Sequence, residues 1–390
     1  MSSVVIIGAA RTAVGTARKG SLANTPPEQL AATVLRAAAE RSGLPVEMID
    51  DVVMAESLMG GGAIARSAAV SIGWTDVAGM AVNRHCAGSL TSTGIAAGAI
   101  LSGMERVVVA GGVNAASMMP RMQQRDPATG EMIDWWMPAT HPETPDAPAR
   151  DMSITVGWNT AKAAGLTREQ QDAWAYRSHQ RAVAAIDAGH FVDQIVPITV
   201  TGPDGQSFEF KVDEHPRRDT TMEKLASLKV LHPEIEGFSI TAGNASGSND
   251  AAVAMVLTTE EIARAEGATP LARVLGWTSI GIDPALTGLS VPKVVAKLLE
   301  RTGRKQSDIA LWEINEAFAS VPVAACKIMG LDEDTVNISG SGCSIGHPVG
   351  ASGGRMIQTL AHDLRRRGGG LGIATMCAGG GMGGALLIEV

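Results

Sequence analysis

Aromatic residues are scarce. Phe, Trp and Tyr make up 3% of 390 residues, with a single tyrosine. The core must therefore be packed from Val, Ile, Leu, Ala and Met. Cysteine is sparse too. The four cysteines, Cys86, Cys326, Cys343 and Cys377, show no CxxC spacing and no framework pattern. That argues against a disulfide scaffold and for a reducing, cytoplasmic setting. Charged residues reach only 18%, and the formal net charge is −8. A broad basic surface for nucleic acid is thus not expected. No uncharged apolar run attains the ~18 residues of a membrane-span candidate. The opening MSSVVIIGAARTAVG has no basic segment ahead of its short apolar run, which argues against a signal sequence. Zinc spacing is missing as well: His85 and Cys86 are adjacent, but the other candidates are unpaired and distant.

What is present is a rhythm. Hydrophobic residues are 45% of the chain, and there are 45 glycines, which suits close backbone packing. Short apolar runs at 4–7, 52–54, 107–110, 251–257 and 271–277 read as buried strands. Helical segments separate them. The first helix is expected to start with Thr25 as N-cap, Pro26 in its first turn and Glu28 reaching back, and to stop near Gly43. This alternation predicts an α/β fold with a largely parallel central sheet. Residues 119–155 break it, with six prolines (120, 127, 138, 142, 145, 148) and the pair Trp135-Trp136. They read as a long irregular excursion. A helix then follows, opened by a Thr167/Gln170 capping box and running to Gly189.

The division that results is an N-terminal α/β half at 1–118, an inserted domain at 119–249, and a C-terminal α/β half at 250–390. Residues 250–268 are expected to pack with the N-terminal half. The halves repeat an order of elements. Cys86 precedes a helix and then RVVVAGGVN (106–114). SIGHPVGAS (344–352) precedes a helix and then GIATMCAGGGMGG (372–384). Two such halves placed face to face would bring both turns to one central site.

Four stretches could carry chemistry. In VNRHCAGSL (82–90), Cys86 stands where a helix begins, and the free N–H groups there are expected to raise its thiolate fraction. An inert buried cysteine would leave the same trace. In GCSIGHPVGASGG (342–354), His347 sits at a glycine-flanked turn fixed by Pro348, placed to act as base or donor, or simply to pack. Cys377 ends a strand beside Gly379, whose amide could hold an oxyanion, though a core strand end would read alike. In EINEAFAS (313–320), Asn315 could orient a water or carbonyl and Glu316 an imidazole, against plain helix capping. Together they supply a nucleophile, a base, a second thiol and oxyanion donors, all at strand-to-helix junctions.

These stretches resemble the thiolase family, the acetyl-CoA acetyltransferases and 3-ketoacyl-CoA thiolases. The likeness runs nearly end to end, through IIGAARTAVG, VNRHCAGSL, SHQRAVAAIDAGHF, TAGNASGSNDAA, INEAFA, GHPVGASGGR and CAGGGMGG. It implies a five-layered αβαβα core of two related halves, with 119–249 as a loop domain covering coenzyme A. It implies Cys86 as the nucleophile that accepts the acyl group. His347 would take its proton and help bind the thioester oxygen. Asn315 would hold a water that completes that site, and Cys377 would exchange a proton with the reacting carbon or the coenzyme thiol. The amides of Cys86 and Gly379 would form the oxyanion site of the acyl-enzyme. Arg217, Ser246, Phe318 and Met152 would line the coenzyme A site. Arg217, Arg218, Lys224 and Lys229 are expected to supply local positive charge. No resident cofactor or metal is implied, since coenzyme A is a substrate. A homodimer or homotetramer is expected.

Three departures stand out against that family. The run after the cysteine is Ala87-Gly88-Ser89-Leu90, with glycine and serine exchanged, which could reshape the acyl pocket. VNAASMMP (113–120) replaces a Glu-Ser-Met-Ser run. The stretch at 149–161 lacks the His-Met-Gly of biosynthetic relatives. These changes point to a degradative or specialised 3-ketoacyl substrate rather than simple acetoacetyl-CoA. Competing readings are a ketoacyl-synthase-type condensing enzyme, which Cys377 opposes, and a non-catalytic acyl-CoA or lipid-binding relative.

Overall fold

The computed structural model describes residues 3–57, 63–135, 139–201 and 205–390. Trp136 and Pro138 lie outside the described residues. Strands in chain order are β1 Val4–Arg11, β2 Gly15–Thr16, β3 Asp51–Ala55, β4 Ala78–Val82, β5 Val107–Ala115, β6 Met122–Arg125 and β7 Met132–Trp135. They continue with β8 Ile198–Thr201, β9 Ser207–Phe210, β10 Asn249–Thr259, β11 Ala272–Gly281, β12 Ile309–Ile314, β13 Leu371–Ala378 and β14 Met382–Glu389.

One sheet runs β12-β13-β14-β11-β1-β10-β5-β3-β4, with β2 pairing at the end of β10. Its two ends are copies of one another. In the N-terminal half β3 is parallel to β4 and to β5, and only β10 runs against its neighbours β5 and β1. In the C-terminal half β12 is parallel to β13, and only β14 runs against its neighbours β13 and β11. Trp312 of β12 bridges Val336 in parallel, where the other half has β3 beside β4. The sheet is therefore mixed, with one reversed strand per half. The sequence rhythm showed alternation but not direction, because β10 and β14 are as apolar as the parallel strands.

The two halves meet through β1 and β11, paired at Val4–Ile6 and Ala272–Val274. Between the half-sheets lie two equivalent helices, Gly88–Ser102 and Ser352–Arg366, which pack on each other. The Pro27–Ser42 helix covers β1 and β10 on one outer side, and the Ser290–Thr302 helix covers β11 and β14 on the other. The outcome is a five-layered αβαβα core. The central helices approach closely at Gly353, where a Cβ would fall 2.5 Å from the amide nitrogen of Leu90. Only glycine allows that distance. Beside it, the Ser89 hydroxyl accepts the Gly354 N–H at 2.9 Å, and Ser89 is fully buried. At position 88 a Cβ would lie 2.6 Å from that of Ala55. Ser89 thus serves the packing between halves, and Gly88 the packing of its helix on β3.

Several local expectations meet the structure directly. Thr167 accepts from Gln170 N–H and the Gln170 side chain returns the bond, so the capping box is real, and that helix spans Arg168–Asp187. The first helix stops at Gly43 in a left-handed conformation. Its start differs: Pro26 itself is the N-cap, and no side chain caps it. Proline, with φ preset and no N–H to satisfy, begins the helix without help from Thr25. The excursion at 119–155 is more regular than its prolines suggested. β6 and β7 pair as a hairpin, and Ser153–Trp158 winds as a wide helical turn.

Candidate active site

The site forms where both repeat units turn from sheet to central helix. Cys86 lies on the short turn His85–Ala87 that heads the Gly88–Ser102 helix. This turn packs against β13 and against the Ser352–Arg366 helix of the other half. β13 ends at Ala378, and Gly380 and Gly381 (φ 82° and 74°) then reverse the chain into β14. That reversal brings the Gly379 N–H onto the Cys86 thiol. Cys377 is near enough that charge on Cys86 is felt at its own sulfur. The two thiols, from distant parts of the chain, thus share one place.

Burial dominates their chemistry. Cys86 as a residue is half-buried. Its thiol is nonetheless pushed up to about 11 by desolvation, against which the N–H groups of Gly379 and Cys86 pull only weakly. The expectation of a raised thiolate fraction is therefore corrected: the helix start is present, but loss of water outweighs its partial charge. Cys377 is pushed up further, by burial first and by Cys86 second. An expected result follows for the free protein. Alkylation of Cys86 by iodoacetamide should rise about tenfold per pH unit from pH 7 to 10, because only the thiolate reacts and its fraction climbs below the pKa. A rate already level above pH 7 would contradict it.

His347 follows the short Gly342–Ile345 helix and precedes the Ser352–Arg366 helix. Its backbone N–H donates to Asn249 Oδ1 at 2.9 Å, tying the turn to β10. Its Nδ1 lies 2.6 Å from Ser352 Oγ. The Ser352 hydroxyl donates its only proton to the Pro348 carbonyl at 2.9 Å. With Ser352 accepting from Nδ1–H, Nε2 carries the lone pair and faces the Asn315 amide as its donor. Burial, and then the Arg355 charge, lower this imidazole to about 3. It rests neutral. Asn315 is fully buried, with Nδ2 3.4 Å from His347 Nε2 and an amide N–H held by Thr375 of β13. Its Oδ1 has no partner among the described residues. It caps no helix; the next one begins at Ser320.

Glu316 does not reach the imidazole. Its carboxylate accepts from Trp174 Nε1 (2.8 Å), Ser178 Oγ (2.6 Å), Asn337 Nδ2 (2.8 Å) and Cys343 N–H (3.0 Å). It pins the 168–187 helix to the C-terminal half, and its orienting role falls to Ser352 and Asn249. Sequence reasoning missed both. Asn249 had no signal, being ninety-eight residues from His347. Ser352 had one, since a serine five residues after a histidine at a helix start can reach back to it.

The residues assigned to coenzyme A come from several segments of the chain. Met152 Sδ lies 3.9 Å from where a Cβ on Gly379 would be, so it belongs to the cleft itself. Ser246 donates its N–H to Ala317 O at 2.9 Å, and Ala245 bridges Phe318, so these two motifs form one wall. Phe318 packs on Gly157. Arg217 is exposed, with its backbone N–H on His179 Nδ1 at 3.1 Å. Of the four cations expected to act together, Arg218 is paired with Asp187 and Lys224 with Asp219. Among the described residues, Arg217 and Lys229 form no ion pair.

A neutral thiol held under a backbone N–H, with a second thiol beside it, is suited to receiving an acyl group from a thioester. The molecule is an acyltransferase. Residues 4–261 match the family description "Thiolase, N-terminal domain" and residues 268–390 match "Thiolase, C-terminal domain". The acetyl-CoA acetyltransferase of Escherichia coli (strain K12) is 39% identical, covering 100% of this chain and 99% of that protein. The crystal structure of the Bacillus anthracis acetyl-CoA acetyltransferase superposes with a TM-score of 0.91 at 39% identity, over 100% of this chain and 99% of the other. Human mitochondrial 3-ketoacyl-CoA thiolase gives the same TM-score at 31% identity with the same coverage. The chain belongs to the thiolase family.

Proposed function

We propose that this thiolase cleaves a 3-ketoacyl-CoA by ping-pong acyl transfer through Cys86. The convergence of Cys86, Cys377 and the Gly379 N–H carries the reading. Cys86 sulfur attacks the C3 carbonyl, and its proton passes to His347 Nε2. The C2–C3 bond breaks, leaving the acyl group on Cys86 and an acetyl-CoA enolate. The newly formed Nε2–H, with a water held by Asn315, stabilises the enolate oxygen. Cys377 then delivers its proton to C2. In the second half, the incoming coenzyme A thiol gives its proton to the Cys377 thiolate and attacks the acyl-cysteine. The N–H groups of Cys86 and Gly379 hold the oxyanion, each such donor being worth about 2.7–4 kcal/mol of barrier. Collapse releases the shortened acyl-CoA, and Cys86 recovers its proton from His347.

Residues 119–249 serve as the loop domain that covers coenzyme A, between the halves at 1–118 and 250–390. Met152, Ser246 and Phe318 line the pantetheine, and Arg217 meets a phosphate. The exposure of Arg217, with no ion pair among the described residues, supports that role. Replacing Arg217 with alanine should raise the apparent coenzyme A constant about tenfold, the weight of one charged hydrogen bond, while turnover falls much less. Steady-state kinetics at varied coenzyme A decides it. The direction we favour is degradative, on fatty-acid or lipid-derived 3-ketoacyl-CoAs in the cytoplasm, with no resident cofactor. The alternative is biosynthetic formation of acetoacetyl-CoA, the acetyl transfer named in the bacterial relatives. A homodimer or homotetramer is supported by β4, an edge strand with Met80 exposed.

The deciding experiment mixes the protein with a 3-ketoacyl-CoA and no free coenzyme A. Intact-protein mass should increase by one acyl group, mapped to Cys86. An active preparation without that adduct would remove the mechanism.

A further inference from the structure

One polar side chain in the cleft takes no part in the steps above. His85 precedes the nucleophile, and its backbone is in the left-handed region at φ 45°. A non-glycine residue there stores of order 1–3 kcal/mol of strain and persists only when its surroundings hold it. Two bonds do so here. The His85 N–H donates to Asn83 Oδ1 at 2.9 Å, and the His85 carbonyl accepts from Ser57 Oγ at 3.0 Å. The ring lies against the oxyanion turn, with its Cγ 3.9 Å from where a Cβ on Gly379 would be. Thr140 Cγ2 (3.5 Å) and Met152 Sδ (3.9 Å) share that surface. Neither ring nitrogen has a hydrogen-bond partner among the described residues. Burial lowers its pKa, so the ring is a neutral imidazole with one donor and one acceptor. Among the described residues nothing pins its tautomer, unlike that of His347.

We propose that His85 is a specificity-determining residue, and that the acyl group accepted by Cys86 carries an oxygen function, a hydroxyl or a ketone, close to its carbonyl carbon. The inference rests on the thiolase reading of the preceding subsection. An imidazole free to present either nitrogen pairs with a hydroxyl or a ketone alike. A plain alkyl chain laid on the same ring would strip its water and return no bond. Sites built to hydrogen-bond a substrate group discriminate against analogues that lack it far more sharply than apolar pockets reject an added group.

The test compares 3-oxohexanoyl-CoA with 5-hydroxy-3-oxohexanoyl-CoA, which leave butanoyl and 3-hydroxybutanoyl groups on the enzyme. The hydroxylated substrate should have a kcat/KM about tenfold higher or more, the weight of one hydrogen bond plus the desolvation it offsets. In His85→Leu the preference should vanish or reverse, through a loss on the hydroxylated substrate and a gain on the plain one. His85→Asn, whose side chain tolerates the left-handed backbone and keeps a donor and an acceptor, should retain part of it. An equal ratio in wild type and His85→Leu, or an equal loss on both substrates in both variants, overturns the proposal. Acyl mass on Cys86 is followed alongside. If it is absent for every substrate in the wild-type protein, the thiolase mechanism itself fails. If it is present with unchanged preference, only the role of His85 fails.

Discussion

Cys86→Ala loses turnover by about four orders of magnitude or more, the scale seen when a covalent nucleophile is removed from an intact site. Acyl mass no longer accumulates on the protein. Binding of 3-ketoacyl-CoA persists, because the groups assigned to the coenzyme lie elsewhere on the cleft wall. The reason for so large an effect is that the remaining groups cannot replace the sulfur. Cys377 lies deeper, with burial pushing its thiol up even beyond that of Cys86. His347 has its Nδ1–H committed to Ser352 and serves a proton rather than a carbonyl. Stability should change little, since one half-buried thiol is lost together with only the weak bond it accepts from the Gly379 N–H. Parallel melting curves with lost turnover and retained acyl-CoA binding are expected. Retention of more than a hundredth of wild-type turnover would show that acyl transfer bypasses Cys86.

The repeat of turn, helix, strand and glycine cluster was legible because each half carries it on a contiguous stretch, and the sheet shows four strands of each copy in the same order. The meeting of Cys86 with Cys377 was legible only through that repeat. What was not legible depends on dielectric and on distant partners. The sign of the Cys86 shift is an example. A helix start can be read from neighbours in the chain, but the loss of water comes from β13 and the other central helix. Glu316 is another. Next to Asn315 it looked like an orienting carboxylate, yet its four partners come from residues 174, 178, 337 and 343. Thr25 misled for the opposite reason, since a good capping residue stood beside a proline that made capping unnecessary. The β6–β7 hairpin was hidden by the prolines around it, none of which lies within either strand.

Cys377→Ala separates proton delivery from acyl transfer. The thiol is fully enclosed, its pKa is raised, and it donates a proton only when a strong base is generated beside it. The enolate of acetyl-CoA is such a base, and so is a departing coenzyme A thiolate. Removing this acid should lower turnover about 10²–10⁴-fold, the usual range for a positioned general acid or base. Acylation of Cys86 by an aryl thioester should survive, because an aryl thiolate leaves without needing a proton. Exchange of the acetyl-CoA methyl hydrogens with deuterium from solvent should be lost, because no group remains to take and return that proton. The two readouts move in opposite directions only if the sulfur of Cys377 works on the carbon side of the reaction. Loss of both would make Cys377 a structural support of the Cys86 turn. Survival of both would move the proton to His347, whose Nε2 is the other base assigned to the reaction.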